Sequence, residues 1–75
     1  MKERILCILA DIDEEIIEYD GNSLIEAGII DSLTIMEILS DIEDILGVHI
    51  APEDIIQKNF ETKDAIVALV EKYVI

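Results

Sequence analysis

Apolar residues recur along this chain at the three- and four-residue spacing of α-helices, in segments separated by turn signals. The first segment predicts a helix from about residue 3 to 15 with a single apolar face, formed by Ile5, Leu9, Ile12 and Ile16. At about 100° per residue, Cys7 lies opposite this face. We therefore expect its thiol to face solvent, with partial burial as the alternative, and neither placement implies catalysis.

A long loop is predicted between the first and second helices. Asp20-Gly21-Asn22 is a turn signal. The following Ser23-Leu24-Ile25-Glu26 has the spacing of a capping box, in which the serine side chain reaches forward and the glutamate reaches back. We expect one short helical turn here, stopped by Gly28. Three apolar residues are predicted to anchor the loop to the core: Leu24, Ile29 and Ile30.

The second helix is predicted to run from Ser32 to about Leu46 and to end at Gly47. Its inward face is apolar and consists of Ile35, Ile38, Leu39, Ile42, Ile45 and Leu46. The opposite face is expected to be exposed and mostly acidic, and it consists of Leu33, Glu37, Ser40, Asp41 and Asp44, with Met36 at its edge near Ser32. Core packing does not explain a leucine on this face.

The C-terminal part of the chain predicts two further helices. Residues 48–50 are apolar but too few to form a strand without a partner. Pro52 at a first helical position predicts a short third helix ending near Lys58. Thr62 is expected to cap a last helix, and Phe60 is expected to fill the core between the two. The inward residues of the last helix are predicted to be Ala65, Ile66, Leu69, Val70 and Tyr73.

The predicted fold is a single all-α domain over residues 1–75, a four-helix bundle of three longer helices and one short helix with a long first loop. Its core must be aliphatic, because the chain is 52% hydrophobic but only 4% aromatic. No apolar run is long enough to span a bilayer, and no segment resembles a signal peptide. Because Cys7 is the single cysteine, an internal disulfide is excluded and a reducing compartment is favoured. We expect a soluble, cytoplasmic monomer.

The charge balance indicates the kind of partner. Eighteen acidic and five basic residues give a net charge of −13. Such a potential repels nucleic acid and anionic membranes and steers the protein toward basic protein surfaces. Like-charge repulsion also opposes folding.

Catalysis and metal binding are not supported by the residues present. His49 is the single histidine, and Cys7 lies on another helix without an evident base, so a nucleophile–base–orienter set is missing. There is no Cys/His cluster for zinc. A calcium loop with its glycine at Gly21 would begin at Ile16 and end at Ala27, and neither residue offers a carboxylate. We predict no metal site.

The hydroxyl of Ser32 is the candidate for chemistry. A phosphate ester on a serine at a helix N-terminus meets free backbone N–H groups and the positive end of the helix dipole, without needing a basic side chain. Asp31 would repel that phosphate directly, so we expect it to contact a modifying enzyme or its metal ion. The alternative for an isolated Asp-Ser-Leu is a plain helix cap.

The segment "GIIDSL", the acidic helix after it, the short Pro-initiated helix and the Thr-capped last helix together resemble the acyl carrier protein family, over essentially the whole chain. The resemblance implies that Ser32 carries 4′-phosphopantetheine, attached by a phosphopantetheinyl transferase that uses coenzyme A, with Asp31 and Leu33 beside the attachment site. Cargo would ride as a thioester on the arm's sulfur between an acyl- or aminoacyl-loading enzyme and downstream synthases or transferases. The implied docking surface consists of Leu33, Met36, Glu37, Asp41 and Asp44.

Three features depart from the commonest carriers of fatty acid synthesis. Ile29-Ile30 precede the motif, and Thr34 stands where an acid is usual. The segment "KNFETKDAIVALV" is closer to discrete carriers of amino-acid activation or specialised pathways, including D-alanyl carrier proteins. These features leave the cargo open. The alternative function is an acidic helical adaptor that binds basic proteins without being modified.

Overall fold

The computed structural model describes residues 1–74 and shows an all-helical chain. Its elements are α1 (Lys2–Ile12), α2 (Glu14–Glu18), α3 (Ser32–Leu46), two 3₁₀ turns (Pro52–Asp54 and Gln57–Phe60) and α4 (Lys63–Val74). Helix α1 packs against α2, α3 and α4, and the second 3₁₀ turn packs against α4. The predicted all-α bundle of three longer helices and a short one is confirmed, and residues 1–74 contain no strand.

The core is aliphatic around a single aromatic ring. Phe60 is 1% exposed and contributes the one ring of this cluster that is fully buried, as predicted. Full burial of such a side chain stabilises the fold by about 1.5–3 kcal/mol. The remaining core residues come from all the helices and from both connections: Ile5, Leu9, Ile16, Leu24, Ile30, Ile38, Ile42, Val48, Ile50, Ile66, Val67, Leu69 and Val70. Val67 was not among the predicted inward residues.

The prediction of one continuous first helix from residue 3 to 15 is wrong, because the helix is interrupted at Asp13. Asp13 adopts an extended backbone and accepts a hydrogen bond from the Glu15 N–H on its side chain at 2.9 Å, so it ends α1 and caps α2. Aspartate competes for backbone donors in this way and therefore favours helix ends over helix interiors. Ile16 stays buried on α2 despite the break. Cys7 is exposed, as expected.

Helix α3 has the predicted bounds, and Gly47 ends it in the left-handed region at φ 69°, which glycine adopts without a Cβ penalty. Ile38 and Ile42 form the buried centre of its inward face. Ile45 was predicted to face inward but is 52% exposed. It lies over an open groove between α1 and the end of α3 that it shares with Cys7, and no other described element covers this edge of the bundle.

The loop before α3 is anchored where it was predicted to be. Leu24 is fully buried and Ile30 is 1% exposed; the Leu24 N–H also donates to the Glu61 carbonyl at 2.7 Å. The predicted single helical turn is present, with the Ala27 N–H donating to the Ser23 carbonyl at 3.0 Å, but only half of the predicted capping box forms. The Ser23 hydroxyl accepts from the Glu26 N–H at 3.1 Å, whereas the Ser23 N–H donates to the Tyr19 hydroxyl at 3.4 Å rather than to the Glu26 side chain.

The predicted third helix, from Pro52 to about Lys58, is also wrong. The backbone of Ile55 leaves the helical region, at φ −87° and ψ 73°, and separates two short 3₁₀ turns. The Asn59 side-chain amide donates to the Asp54 carbonyl at 2.7 Å, which holds the two turns together. Residues 48–50 form no strand, as expected.

Helix α4 begins as predicted. The Thr62 hydroxyl accepts from the Ala65 N–H at 3.0 Å and so caps the first turn. At the same end, the Lys63 ammonium donates to the Ile17 carbonyl at 2.6 Å and ties α4 to the end of α2. This contact places one of the five basic side chains beside the acidic N-terminal half, where a cation near a helix C-terminus is stabilising.

Candidate functional site

The N-terminus of α3 is built around Asp31. Its backbone is extended, and its Oδ1 atom accepts from the Thr34 N–H at 2.9 Å and from the Thr34 hydroxyl at 3.1 Å. The Asp31 carbonyl accepts from the Ile35 N–H at 3.0 Å and so begins the helical hydrogen-bond ladder. Asp31, rather than the serine after it, is therefore the helix cap.

Ser32 is the first residue of α3 and is exposed. Because Asp31 supplies the cap, the Ser32 hydroxyl makes no hydrogen bond to another described residue. It stands at the N-terminus of a 15-residue helix, where the first N–H groups lack carbonyl partners in the helix and the dipole favours negative charge. Ser32 itself is therefore not the cap of α3, and it is exposed to solvent.

The carboxylate of Asp31 is held in its charged form. The hydrogen bonds from the Thr34 N–H and the Thr34 hydroxyl lower the pKa of Asp31 below the ordinary aspartate value of 3.8, because both donors favour the ionised acceptor. A negative charge therefore stands beside the Ser32 hydroxyl at neutral pH. The hydrogen bonds to described residues use Oδ1.

An apolar groove of about 260 Å³ opens beside Ser32. The loop, α3 and the 51–60 segment each supply part of its wall, which consists of Ile25, Asp31, Ile35, Ile55, Ile56, Gln57 and Phe60. Ile55 is 38% and Ile56 is 48% exposed. The sequence analysis assigned no role to these two isoleucines. Two adjacent isoleucines in an otherwise polar segment are nevertheless a signal that at least one of them lies at the surface.

The exposed face of α3 places the predicted docking residues together on one side of the molecule. Leu33 is 78% and Met36 is 66% exposed, so the leucine that the helical wheel left unexplained does project into solvent. Glu37 and Asp44 are exposed, and Asp41 is half-buried. Leu33, Met36 and Glu37 lie within the first two helical turns after Ser32. The two aspartates continue the same face.

A second groove of about 290 Å³ adjoins the other side of α3, between Met36 and Ile55. His49 lies at its edge, with Nδ1 3.5 Å from the Glu43 carboxylate. His49 is exposed between the buried residues Val48 and Ile50.

Residues 1–74 offer neither a metal-binding cluster nor a membrane-spanning helix. No group of three or more His, Cys, Asp or Glu side chains is arranged to hold a metal ion in this part of the chain. No helix among these residues has the length and apolar character needed to cross a membrane.

Comparison with known proteins agrees with this geometry. The family described as a phosphopantetheine attachment site matches residues 3–70, and the chain therefore belongs to this family of phosphopantetheine-binding carrier proteins. A D-alanyl carrier protein of Abiotrophia defectiva is 29% identical over 76 aligned residues, which cover 99% of this chain and 96% of that relative. No solved structure matches the chain significantly. The predicted resemblance to acyl and aminoacyl carriers is confirmed, and 4′-phosphopantetheine is the covalent group of the family.

The site fits that group. Covalent attachment of a phosphate needs an accessible hydroxyl, and Ser32 supplies one that no internal hydrogen bond occupies. The N-terminus of α3 offers its free N–H groups and dipole to the phosphate. The groove lined by Ile55 and Ile56 lies within reach of whatever Ser32 carries.

Proposed function

We propose that Ser32 is the attachment residue and that the chain is a discrete carrier of acyl or aminoacyl groups. The observation that supports this most strongly is that Asp31, and not Ser32, supplies the capping oxygen at the start of α3. The Ser32 hydroxyl is therefore left exposed. When bound, 4′-phosphopantetheine supplies a flexible thiol on which a carboxylic acid is held as a thioester. The carrier itself orients the group and presents it to other enzymes.

Asp31 has a second proposed role besides capping. Its Oδ1 atom receives the hydrogen bonds of the cap, and its exposed carboxylate keeps Oδ2 for a partner. Oxygen ligands of this kind suit Mg²⁺ bound together with a phosphate-containing substrate. In the proposal, Asp31 contacts the metal ion of the phosphopantetheinyl transferase while the Ser32 hydroxyl is modified.

The docking surface for partner enzymes is proposed to consist of Leu33, Met36, Glu37, Asp41 and Asp44. Two exposed apolar side chains among carboxylates match the composition of an interface in which apolar anchors are surrounded by charges that steer encounter. Loading and transferring enzymes with basic surfaces are the expected partners, and the carrier is expected to meet them as a monomer.

Charge reversal tests this surface. Replacing Glu37 and Asp41 by Lys should slow modification by the transferase mainly by lowering the association rate. The effect should be stronger at low salt, because the Debye length, about 10 Å at 0.1 M salt, increases as the salt concentration falls. The matched control reverses Glu14 and Glu18 on α2, which changes the net charge equally on another exposed surface. Equal rates for both double variants in dilute buffer would refute the docking surface.

Two observations bear on the cargo. The relative is a D-alanyl carrier protein, which supports an aminoacyl cargo. The groove beside Ser32 is apolar, which supports an apolar acyl chain, since an ammonium group is costly to desolvate. Loading assays of the modified protein with a D-alanine-activating ligase and with a fatty-acyl-activating ligase separate the two, and the thioester that forms identifies the cargo class.

The decisive alternative is an adaptor that is never modified. Incubation of the purified chain with coenzyme A and a phosphopantetheinyl transferase distinguishes the two functions by intact mass. The carrier proposal predicts a gain of one phosphopantetheinyl group per chain. An unchanged mass with several active transferases would support the adaptor.

A further inference from the structure

The 51–59 segment is held in place without buried side chains of its own. Ile50 before it is 5% exposed and Phe60 after it is 1% exposed, whereas every residue between them is exposed or half-buried. Segments with few buried apolar contacts open locally more easily than the core does. The segment nevertheless supplies Ile55 and Ile56 to the groove beside Ser32, so its position must be fixed by other contacts.

Those contacts converge on one tyrosine near the end of α4. The Tyr73 hydroxyl donates to the Asp54 carboxylate and accepts from the Ala51 N–H at 3.1 Å. One side chain thus binds the segment at two points, 22 and 19 residues away in sequence. The Tyr73 ring is half-buried and packs against the core, which anchors the hydroxyl.

Two further contacts extend this arrangement. The Asn59 amide donates to the Asp54 carbonyl at 2.7 Å and joins the second 3₁₀ turn to the first. The Lys72 ammonium lies 3.6 Å from the Asp54 carboxylate, but it is largely exposed, and such a pair contributes little. The Tyr73 hydrogen bond, followed by the Lys72 charge, lowers the pKa of Asp54, so the acceptor is ionised at neutral pH and the bond is charge-assisted.

We propose that Tyr73 and Asp54 act as a latch that positions Ile55 and Ile56 beside Ser32. Tyr73 and Asp54 are thus positioning residues for the site. The proposal rests on the proposed function in one respect, namely that Ser32 carries the arm. Ile55 lines both the groove beside Ser32 and the second groove next to Met36. Release of the latch therefore moves a wall that the two grooves share.

The experiment compares wild type with Tyr73→Phe, which removes the hydroxyl and keeps the packed ring. In the unmodified protein we expect exchange of the Ile55 amide, which donates to the Pro52 carbonyl at 3.1 Å, to accelerate by about tenfold or more, as loss of a hydrogen bond to a charged group implies. Core amides of α1 should change by much less. Nuclear Overhauser contacts from the methyl groups of Ile55 and Ile56 to Ile35 should weaken, and binding of the neutral apolar dye N-phenyl-1-naphthylamine should change.

Three further variants separate the latch from general destabilisation. Asp54→Ala removes the half-buried acceptor, which lies outside the core cluster, and should reproduce the effect. Lys72→Met removes only the exposed ion pair and should change exchange by less than about twofold. Tyr19→Phe is the matched control, since it deletes a hydroxyl that binds the Ser23 N–H in a different loop. Exchange at Ile55 should be unaffected in this variant.

The outcomes also separate this inference from the proposed function. If amide exchange at Ile55 and the methyl contacts of Ile55 and Ile56 are the same in wild type, Tyr73→Phe and Asp54→Ala, the latch is refuted, whether or not Ser32 is modified. If these signals change but no phosphopantetheinyl group is ever gained, the latch stands as a structural feature and the carrier proposal fails. If all amides accelerate equally, Tyr73 acts on global stability and the positioning role is wrong.

Discussion

The dipeptide Ser-Leu begins two turns of this molecule, and the two copies face opposite ways. Ser23 is 6% exposed and Leu24 is fully buried. Ser32, in contrast, is exposed, and Leu33 is 78% exposed. Both turns begin with the same side-chain cap, an oxygen that accepts from the N–H three residues later, at 3.1 Å in the first turn and 2.9 Å in the second.

The difference is the residue that supplies the capping oxygen. In the first turn it is Ser23 itself. In the second it is Asp31, one residue earlier, so that the serine and leucine are displaced by one position, or about 100° around the helix. This displacement releases the Ser32 hydroxyl from a structural role and turns Leu33 outward. A cap that lies one residue earlier thus separates a structural serine from a chemically available one.

The largest expected effect comes from replacing each serine by alanine. Ser32→Ala should abolish phosphopantetheinylation while leaving stability nearly unchanged, because the hydroxyl holds nothing in place. Ser23→Ala should remain fully modifiable but lose about 0.5–2 kcal/mol of stability, the usual range for loss of a side-chain cap. Intact mass after reaction with coenzyme A and transferase, together with chemical denaturation, measures both quantities. The comparison would be contradicted if the variant that is modified less were also the less stable of the two.

The second largest effect is expected at Asp31, the residue that caps α3 in place of Ser32. Asp31→Ala should destabilise α3 and slow modification several-fold, because Ser32 then becomes the next residue able to cap the helix. Asp31→Asn keeps a capping oxygen and should restore the melting temperature. If Asp31 also contacts the transferase metal, Asp31→Asn stays slow in single-turnover modification assays. A wild-type rate for Asp31→Asn would confine Asp31 to capping.

How far these features could be predicted from sequence differs along the chain. The bounds of α3 followed from its apolar spacing and Gly47, and the cap of α4 followed from Thr62, because these signals are local. The break at Asp13 was missed since the apolar spacing continues through it from Ile12 to Ile16. At the start of α3, the letters Asp-Ser alone allow either residue to be the cap.

The 51–60 segment shows the limit of local signals. Pro52 indicated a helix start correctly, but the geometry that follows depends on Tyr73, which binds the segment from the far end of the chain. A pattern read over a few neighbouring residues contains no information about such a contact. For the same reason the exposure of Ile45 depends on which element covers the end of α3, and its own helical position does not show that.

A third expected effect is the response to acid. The pKa values of Asp31 and Asp54 are both lowered in the folded state, by Thr34 in one case and by Tyr73 and then Lys72 in the other. A lowered folded pKa means that the stabilisation is complete above the unfolded value, about 3.9, and is lost as pH falls through the folded value. Neither contact should weaken between pH 7 and 5.

Carboxyl carbon chemical shifts followed from pH 7 to 2 measure this response directly. The pKa values of Asp31 and Asp54 should both lie below the ordinary aspartate value of 3.8. The lowering of the Asp54 pKa should diminish in Tyr73→Phe, where only Lys72 still favours the ionised carboxylate, while the pKa of Asp31 stays unchanged in that variant. An ordinary aspartate pKa for Asp54 in the wild-type protein would contradict the hydrogen bond from Tyr73.

The smallest expected effect concerns overall charge and distinguishes the two regions least. The basic residues are Lys2, Arg4, Lys58, Lys63 and Lys72, so both Ser-Leu turns lie in a stretch that contains no base of its own. Salt or millimolar Mg²⁺ should raise the melting temperature at pH 7 by a few degrees through screening of like charges. An unchanged or lowered midpoint with both additions would refute the importance of this repulsion.

The central claim, that Ser32 and no other serine receives the group, is tested most directly by mapping the modified wild-type protein. Cleavage after glutamate places the three serines in separate peptides, which are residues 19–26 with Ser23, residues 27–37 with Ser32 and residues 38–43 with Ser40. Tandem mass spectrometry of this digest should find the phosphopantetheinyl group on peptide 27–37 alone, with the other two unmodified. The group on either of the other peptides, or on none, would contradict the account.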